Sequence, residues 1–194
     1  MPNNHSTTLQ QAIYGRRSVR SYESTKLDRA TVQQLLDAAV HAPTAVHEEP
    51  WQFIVIQDKQ ILRQLSERAK ELAAAHYGRE QHANSKHLLQ IVSDPDFNVF
   101  YDAGTLIAIA VKPMSEFVVA DAWLAAENML LTAYSLGVGS CVIGFAVAAL
   151  NDEHMKREIG IPVEMKVIAP LIVGKPRGEV AVSPRKPAEI LVWK

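Results

Sequence analysis

A single cysteine, Cys141, stands in a chain of 194 residues, so no disulfide can form within it and folding must rest on a buried apolar core. Metal-ligand spacings are missing as well. None of the seven histidines falls in an HExxH pattern, and His82 and His87 sit five apart in a polar stretch, which is no metal spacing. No GxGxxG run joins a strand to a helix, which argues against a doubly wound dinucleotide-binding sheet. There is no GxSxG elbow for a nucleophilic serine. Neither sign of charge dominates: twenty Lys and Arg against twenty-one Asp and Glu leave a formal charge of -1. That balance argues against nucleic acid or an anionic membrane as the main partner. The longest apolar stretch, FVVADAWLAAENMLLTAYSLG, is broken by Asp121 and Glu127, which a lipid-spanning helix rarely accepts together. Repeats, low-complexity runs and a signal-peptide pattern are absent, and with the lone cysteine this points to the cytoplasm.

What is present is a globular composition, 48% apolar and 21% charged, at a length suited to a single domain spanning residues 1–194. Leu9, Ala12 and Ile13 recur at helical spacing and predict a short helix before RRSVR. Val32, Leu35, Leu36, Ala39 and Val40 predict a second, with Asp28 as N-cap and Pro43 as its stop. WQFIVIQ reads as a buried strand, and Asp58 caps a third helix bearing Ile61, Leu62, Leu65, Ala69 and Leu72. Residues 76 to 101 are polar and irregular, and read as a loop, lid or poorly ordered excursion. TLIAIAV is a second strand. A long helix from Glu116 to Leu136 follows, apolar almost all round, with Gly137 as its cap. Its polar residues Asp121, Asn128, Thr132 and Ser135 form one narrow stripe, so it belongs at the centre of the fold or in a subunit interface. SCVIGF, a helix over 152–159, the strand MKVIAPLIVG and a final EILVW complete the chain. Strand and helix do not alternate regularly, so the class is α+β: four or five short strands flanked by helices.

Four stretches carry possible chemistry. RRSVR places Arg16, Arg17 and Arg20 beside Ser18; guanidinium forks and a hydroxyl suit phosphate oxygens, although a solvated basic turn has the same composition. APTAVHEEPW runs from Ala42 to Trp51. It is either a plain helix-to-strand connection or a turn aiming backbone amides and His47 at a ligand. The glycines of GVGSCVIGF permit a ligand to approach the backbone, or serve only a cap and turn. SPRKP sets Arg185 and Lys186 on a rigid arm, or on a surface tail. Cys141, in an apolar strand with no base beside it, reads as a buried structural thiol.

Taken together and in this order, the four stretches resemble the FMN-dependent nitroreductase family along nearly the whole chain. RRSVR is similar to that family's phosphate-binding arginine–serine motif, and APTAVHEEPW to its Pro-Ser-x-x-Asn-x-Gln-Pro-Trp turn. DAGTLIAIAV, DAWLAAENMLLTAYSLGVGSC, VIGF and the closing PRKP follow in the family's order. The resemblance implies a nitroreductase-like fold with a mostly antiparallel sheet. It also implies an intertwined homodimer with two FMN sites built from both chains, and an arm over about 175–194 that reaches the partner. Arg16, Ser18 and Arg185 would contact the FMN phosphate, and Arg20 the ribityl chain or pyrimidine edge. Arg17 would help by charge or backbone contact. Pro43, Thr44, Ala45 and His47 would border the flavin, and the backbone of Ile143 and Gly144 would lie by its reactive N5. No side chain is implied as a catalyst. The sequence departs from the family at His47 for asparagine, Glu49 for glutamine and Ser183 for lysine, which bears on substrate range and redox potential.

The activity so implied is ping-pong transfer of two electrons from NAD(P)H to flat electron-poor acceptors such as nitroaromatics or quinones. Three other readings stay open: a dehalogenating or azoline-oxidising relative on the same fold, a flavin-binding protein without turnover, and an acyl- or phosphate-handling enzyme that uses the arginines alone.

Overall fold

The computed structural model describes residues 7–79, 82–180 and 184–194; Ser183 lies outside them. Helix α1 (Leu9–Gly15) starts at a reciprocal cap, in which the Thr8 hydroxyl accepts from the Gln11 amide and the Gln11 side chain accepts from the Thr8 amide. It is followed by α2 (Arg29–Ala39), β1 (Trp51–Ile56), α3 (Lys59–Tyr77), α4 (Ala83–Val92) and β2 (Thr105–Val111). Then come α5 (Val118–Ser135), β3 (Gly139–Val142), α6 (Ala146–Leu150), α7 (Glu153–Ile159) and β4 (Lys166–Gly174). The predicted caps Asp28 and Asp58 accept amide hydrogen bonds at the starts of α2 and α3.

The four strands form one sheet in the order β1-β2-β4-β3, antiparallel at every pairing. β2 and β4 are central, and both faces are covered. This explains why TLIAIAV is apolar at nearly every position rather than alternating. Leu106, Ala108 and Ala110 enter a core shared with α3, α6 and α7, whereas Ile107, Ile109 and Val111 enter one shared with α2 and α5. The register between β2 and β4 shifts at Ile109/Ala110, and such a bulge bends the sheet locally.

One stretch differs from the sequence reading. Most of 76–101 is ordered: α3 runs on to Tyr77, and α4 occupies Ala83–Val92. α4 escapes the periodicity because its buried set among the described side chains is small, Ser85 and Val92, so few apolar residues mark its face. The final apolar run EILVW enters no core: Ile190 through Trp193 are exposed, Leu191 at 98%.

α5 buries a mostly apolar face, with Ala122, Ala125, Ala126, Met129, Leu130 and Ala133 all in the core. Its polar stripe joins that face only at its start: Asp121 is buried, and the Asn128 amide donates to the Ala38 carbonyl of α2 at 3.1 Å, whereas Ser135 is exposed. Phe117, Val119, Trp123 and Leu124 face outward. At its end Gly137, at φ 70°, closes a Schellman turn in which the Val138 amide reaches the Ala133 carbonyl at 2.8 Å. Gly15 lets the Tyr134 ring of α5 lie against the end of α1, since a Cβ there would sit 2.1 Å from the Tyr134 hydroxyl and displace it.

Candidate functional site

The RRSVR segment is not a free turn. Ser18 pairs alongside Ser140 of β3, and the Val19 amide donates to the Ser140 carbonyl at 3.0 Å. Further along, Tyr22 pairs with Pro176 and the Arg177 amide donates to the Ser21 carbonyl at 2.9 Å. Residues 18–23 are thus strapped across the end of β3 and the exit of β4, bringing cations from the two ends of the chain together. Tyr22 secures the strap: it is fully buried, and its hydroxyl donates to the Val19 carbonyl at 2.9 Å. Burial pushes its phenol far above the usual range, so this donor keeps its proton.

Arg20 lies where two cavities meet. The first, about 490 Å³, opens between the end of α3, the Val99–Tyr101 turn and the β3–α6 junction, and is bordered by Cys141, Ile143 and Gly144. Its aromatic wall, His76, Tyr77, Tyr101 and Phe145, belongs to one edge-to-face chain that Phe97 completes from outside the cavity. His76 to Tyr77, Tyr77 to Phe145, Phe145 to Phe97 and Phe97 to Tyr101 have ring separations of 5.0, 6.3, 6.5 and 5.7 Å. The lip is conformationally costly, with Tyr101 at φ 51° and Asp102 at φ 64°. Asn98 braces it by accepting from the Phe100 amide and donating to Asp102. A Cβ at Gly144 would meet nothing within 4 Å, and its amide has no partner among the described residues. One backbone donor therefore faces open space.

The second cavity, about 400 Å³, is lined by Ser18 and by four guanidiniums, Arg17, Arg20, Arg177 and Arg185. A slot walled by rings thus opens beside an arginine cradle, with Arg20 common to both. The Arg20 cation acts on the slot electrostatically: burial raises the Cys141 thiol and the Tyr101 phenol, and Arg20 opposes both shifts. Cys141 is buried and stays protonated at neutral pH, a poor nucleophile.

Not every predicted residue joins this assembly. Arg16 pairs with Glu127 of α5 at 3.6 Å and lines a different, neighbouring cavity. Arg17 borders the cradle, but its Nη1 donates to the Tyr14 and Arg16 carbonyls at 2.7 and 2.8 Å, capping the end of α1. Pro43, Thr44, Ala45 and His47 line neither of the two cavities. They form a separate turn beside the start of α5. There the Ala45 amide donates to Asp121 at 3.3 Å, the Ser115 hydroxyl donates to Glu48 at 2.8 Å, and the second Asp121 oxygen is buried without a partner among the described residues. Val46, His47 and Glu49 all have positive φ, a cluster of strain typical of working segments. Sequence reasoning missed the ring wall and Arg177. The rings are scattered over α3, the Tyr101 turn and α6, and only the fold gathers them; the available signal for Arg177 was a cation one residue past the proline that ends β4.

The residue chemistry agrees with known proteins. The nitroreductase family matches residues 13–175. An Archaeoglobus fulgidus protein whose name, NADH dehydrogenase/NAD(P)H nitroreductase, is itself provisional is 30% identical over 168 residues, covering 86% of this chain and 84% of that one. The crystal structure of a Bacteroides fragilis nitroreductase with bound FMN superposes with a TM-score of 0.81 at 26% identity, covering 96% of this chain and 98% of the other. An iodotyrosine deiodinase bound to FMN and 3-iodo-L-tyrosine shares the fold, with a TM-score of 0.76 at 19% identity over 94% of this chain and 97% of that one. With its motifs, sheet and family match in agreement, this chain belongs to the nitroreductase family.

Proposed function

We propose that the protein is an FMN-dependent oxidoreductase that carries two electrons from NAD(P)H to a flat, electron-poor acceptor. The observation that carries this reading is the junction at Arg20. A ring-walled slot with an open backbone amide abuts an arginine–serine cradle, which matches a ligand with a flat heterocycle at one end and a phosphate at the other. The fit is chemical as well as spatial: several charge-assisted hydrogen bonds of about 1.5–3 kcal/mol each reach the roughly 8 kcal/mol of micromolar binding.

Bound there, FMN supplies hydride acceptance from a nicotinamide and two-electron delivery to a nitroaromatic or quinone. The protein's share is binding and placement. Ser18, Arg20 and Arg185 would hold the phosphate, with Arg16 joining if it leaves Glu127 and Arg17 adding charge. The Gly144 amide would donate to the ring nitrogen that exchanges hydride, and Ile143 would back it. Tyr77, Tyr101 and Phe145 narrow the slot, so donor and acceptor occupy it in turn and the kinetics are ping-pong.

The working unit is a homodimer. Phe117, Val119, Trp123 and Leu124 leave an exposed apolar side on α5 of the kind that marks an interface, and a second copy would bring its own Pro43, Thr44, Ala45 and His47 to the slot. The end of the 175–194 arm, with its exposed Ile190 to Trp193, would lie on the partner, while Arg177 and Arg185 stay at this chain's own cradle. Among the described residues no helix is long and apolar enough to cross a membrane; a cytoplasmic location is part of this proposal. Reductive dehalogenation has a neighbour on the same fold, but no residue of this chain favours it.

The test is direct. Protein reconstituted with FMN should hold the flavin through gel filtration and bleach with NADH or NADPH under anaerobic conditions. A quinone or nitroaromatic should then restore the colour. Protein that retains no flavin, or stays yellow with both donors, rules the proposal out.

A further inference from the structure

We infer that the arginine cradle receives a second phosphate besides that of FMN, the 2′-phosphate of NADPH, and that Arg177 recognises it. The inference rests on the flavin reading above and adds to it which nicotinamide the enzyme takes. The first ground is charge. Arg17, Arg20, Arg177 and Arg185 line the cradle with Glu179 as its one carboxylate, so four cations less one anion leave three positive charges. A phosphate monoester carries about two negative charges at neutral pH. One positive charge therefore remains without a counterpart, and a cavity of net positive charge concentrates further anions.

The second ground is placement. Arg17 is committed to the carbonyls at the end of α1. Arg20 is shared with the ring slot. Arg177 is held by its backbone, through its own amide to Ser21 and through the Tyr22–Pro176 pairing beside it. It stands at the rim where the cradle meets a third cavity that Arg20 and Tyr101 also line. Asp94, Asp96 and Asp102 border that third cavity, yet none of them forms an ion pair with Arg177 among the described residues. The guanidinium is therefore exposed, anchored at its root and uncommitted. A nitroaromatic or quinone has no phosphate to offer it. A dinucleotide with its nicotinamide in the slot is long enough to reach past Arg20, and NADPH differs from NADH only by the phosphate that this cation would bind.

The experiment compares kcat/KM for NADPH and NADH with one quinone acceptor, in flavin-loaded wild type, Arg177→Ala and Arg177→Lys. Flavin content is read from the visible spectrum in parallel. One charge-assisted contact predicts a preference for NADPH of about tenfold or more in the wild type. In Arg177→Ala the NADPH/NADH ratio should fall by about the same factor with flavin content retained, and lysine should restore part of it. The preference should also shrink as salt is added. Equal use of the two donors by the wild type, or an unchanged ratio in Arg177→Ala, overturns the inference while leaving the flavin reading intact. Loss of flavin in Arg177→Ala assigns that residue to the FMN phosphate and overturns it too. Wild-type protein that takes up no FMN overturns the flavin reading, and this inference with it.

Discussion

At Gly144 the proposed functional feature is a missing side chain. Its φ lies outside the left-handed region and nothing crowds its Cβ position, so a larger residue should be tolerated by the fold but not by a ligand lying against it. Gly144→Val is expected to keep the wild-type melting temperature and to weaken FMN binding by at least about tenfold, or ~1.4 kcal/mol; a fluorescence titration with FMN checks this. Val46 is the opposite case. It is 85% exposed and holds φ 46°, where a β-branched side chain is strained and gains no burial in return. Val46→Gly should stabilise the isolated chain by about 1 kcal/mol, net of glycine's greater backbone entropy, and raise its melting temperature by about 2–4 °C. An unchanged melting temperature would show that the turn is relaxed.

Among the elements, α3 and α7 are joined by a polar link. Asp152 caps α7 by accepting from the Met155 amide at 3.2 Å, and its other oxygen accepts from Arg68 of α3 at 2.9 Å. The Arg68 hydrogen bond, with help from the helix amides, holds the Asp152 carboxyl below the usual carboxylate range. A depressed folded value means that the contribution is present above the ordinary carboxylate pKa and is lost as pH falls through the folded one. Asp152→Ala should therefore cost about 1–2 kcal/mol at neutral pH. The gap to wild type should close in acid, below about pH 4. Urea unfolding of both proteins across that range measures it; a gap that persists in strong acid would assign the loss to packing rather than charge. Helix starts such as this one are readable in advance, because Asp28, Asp58 and Asp152 each precede an apolar repeat. α4 is not, since few of its residues reach the core.

For the whole molecule, the decisive feature is the outward side of α5. Trp123 is 41% exposed, with Leu124, Val119 and Phe117 nearby, while Asp121 and Asn128 point into the fold. Burying that side against a second copy removes apolar area from water, at about 25 cal/mol per Å². A carboxylate placed in its middle should prevent this. Trp123→Asp is expected to sediment as a monomer and, because the slot then lacks the partner's Pro43–His47 turn, to lose FMN as well. A dimer that keeps its flavin in this variant would place the interface elsewhere.

The order of motifs along the chain, the α+β class, the Asp28, Asp58 and Gly137 caps and the identity of the cations at both ends were legible in the one-dimensional pattern. They depend on local physics: side-chain periodicity, capping hydrogen bonds and the chemistry of arginine. Which arginine does what was not legible. Arg16 turns to Glu127, Arg17 caps α1, Arg20 joins the two cavities, and Arg177 enters the cradle unannounced. The ring wall was hidden for the same reason. Residues far apart in sequence meet only after the sheet has closed, and their geometry is set by which strand edges the Ser18–Glu23 strap finds to bond.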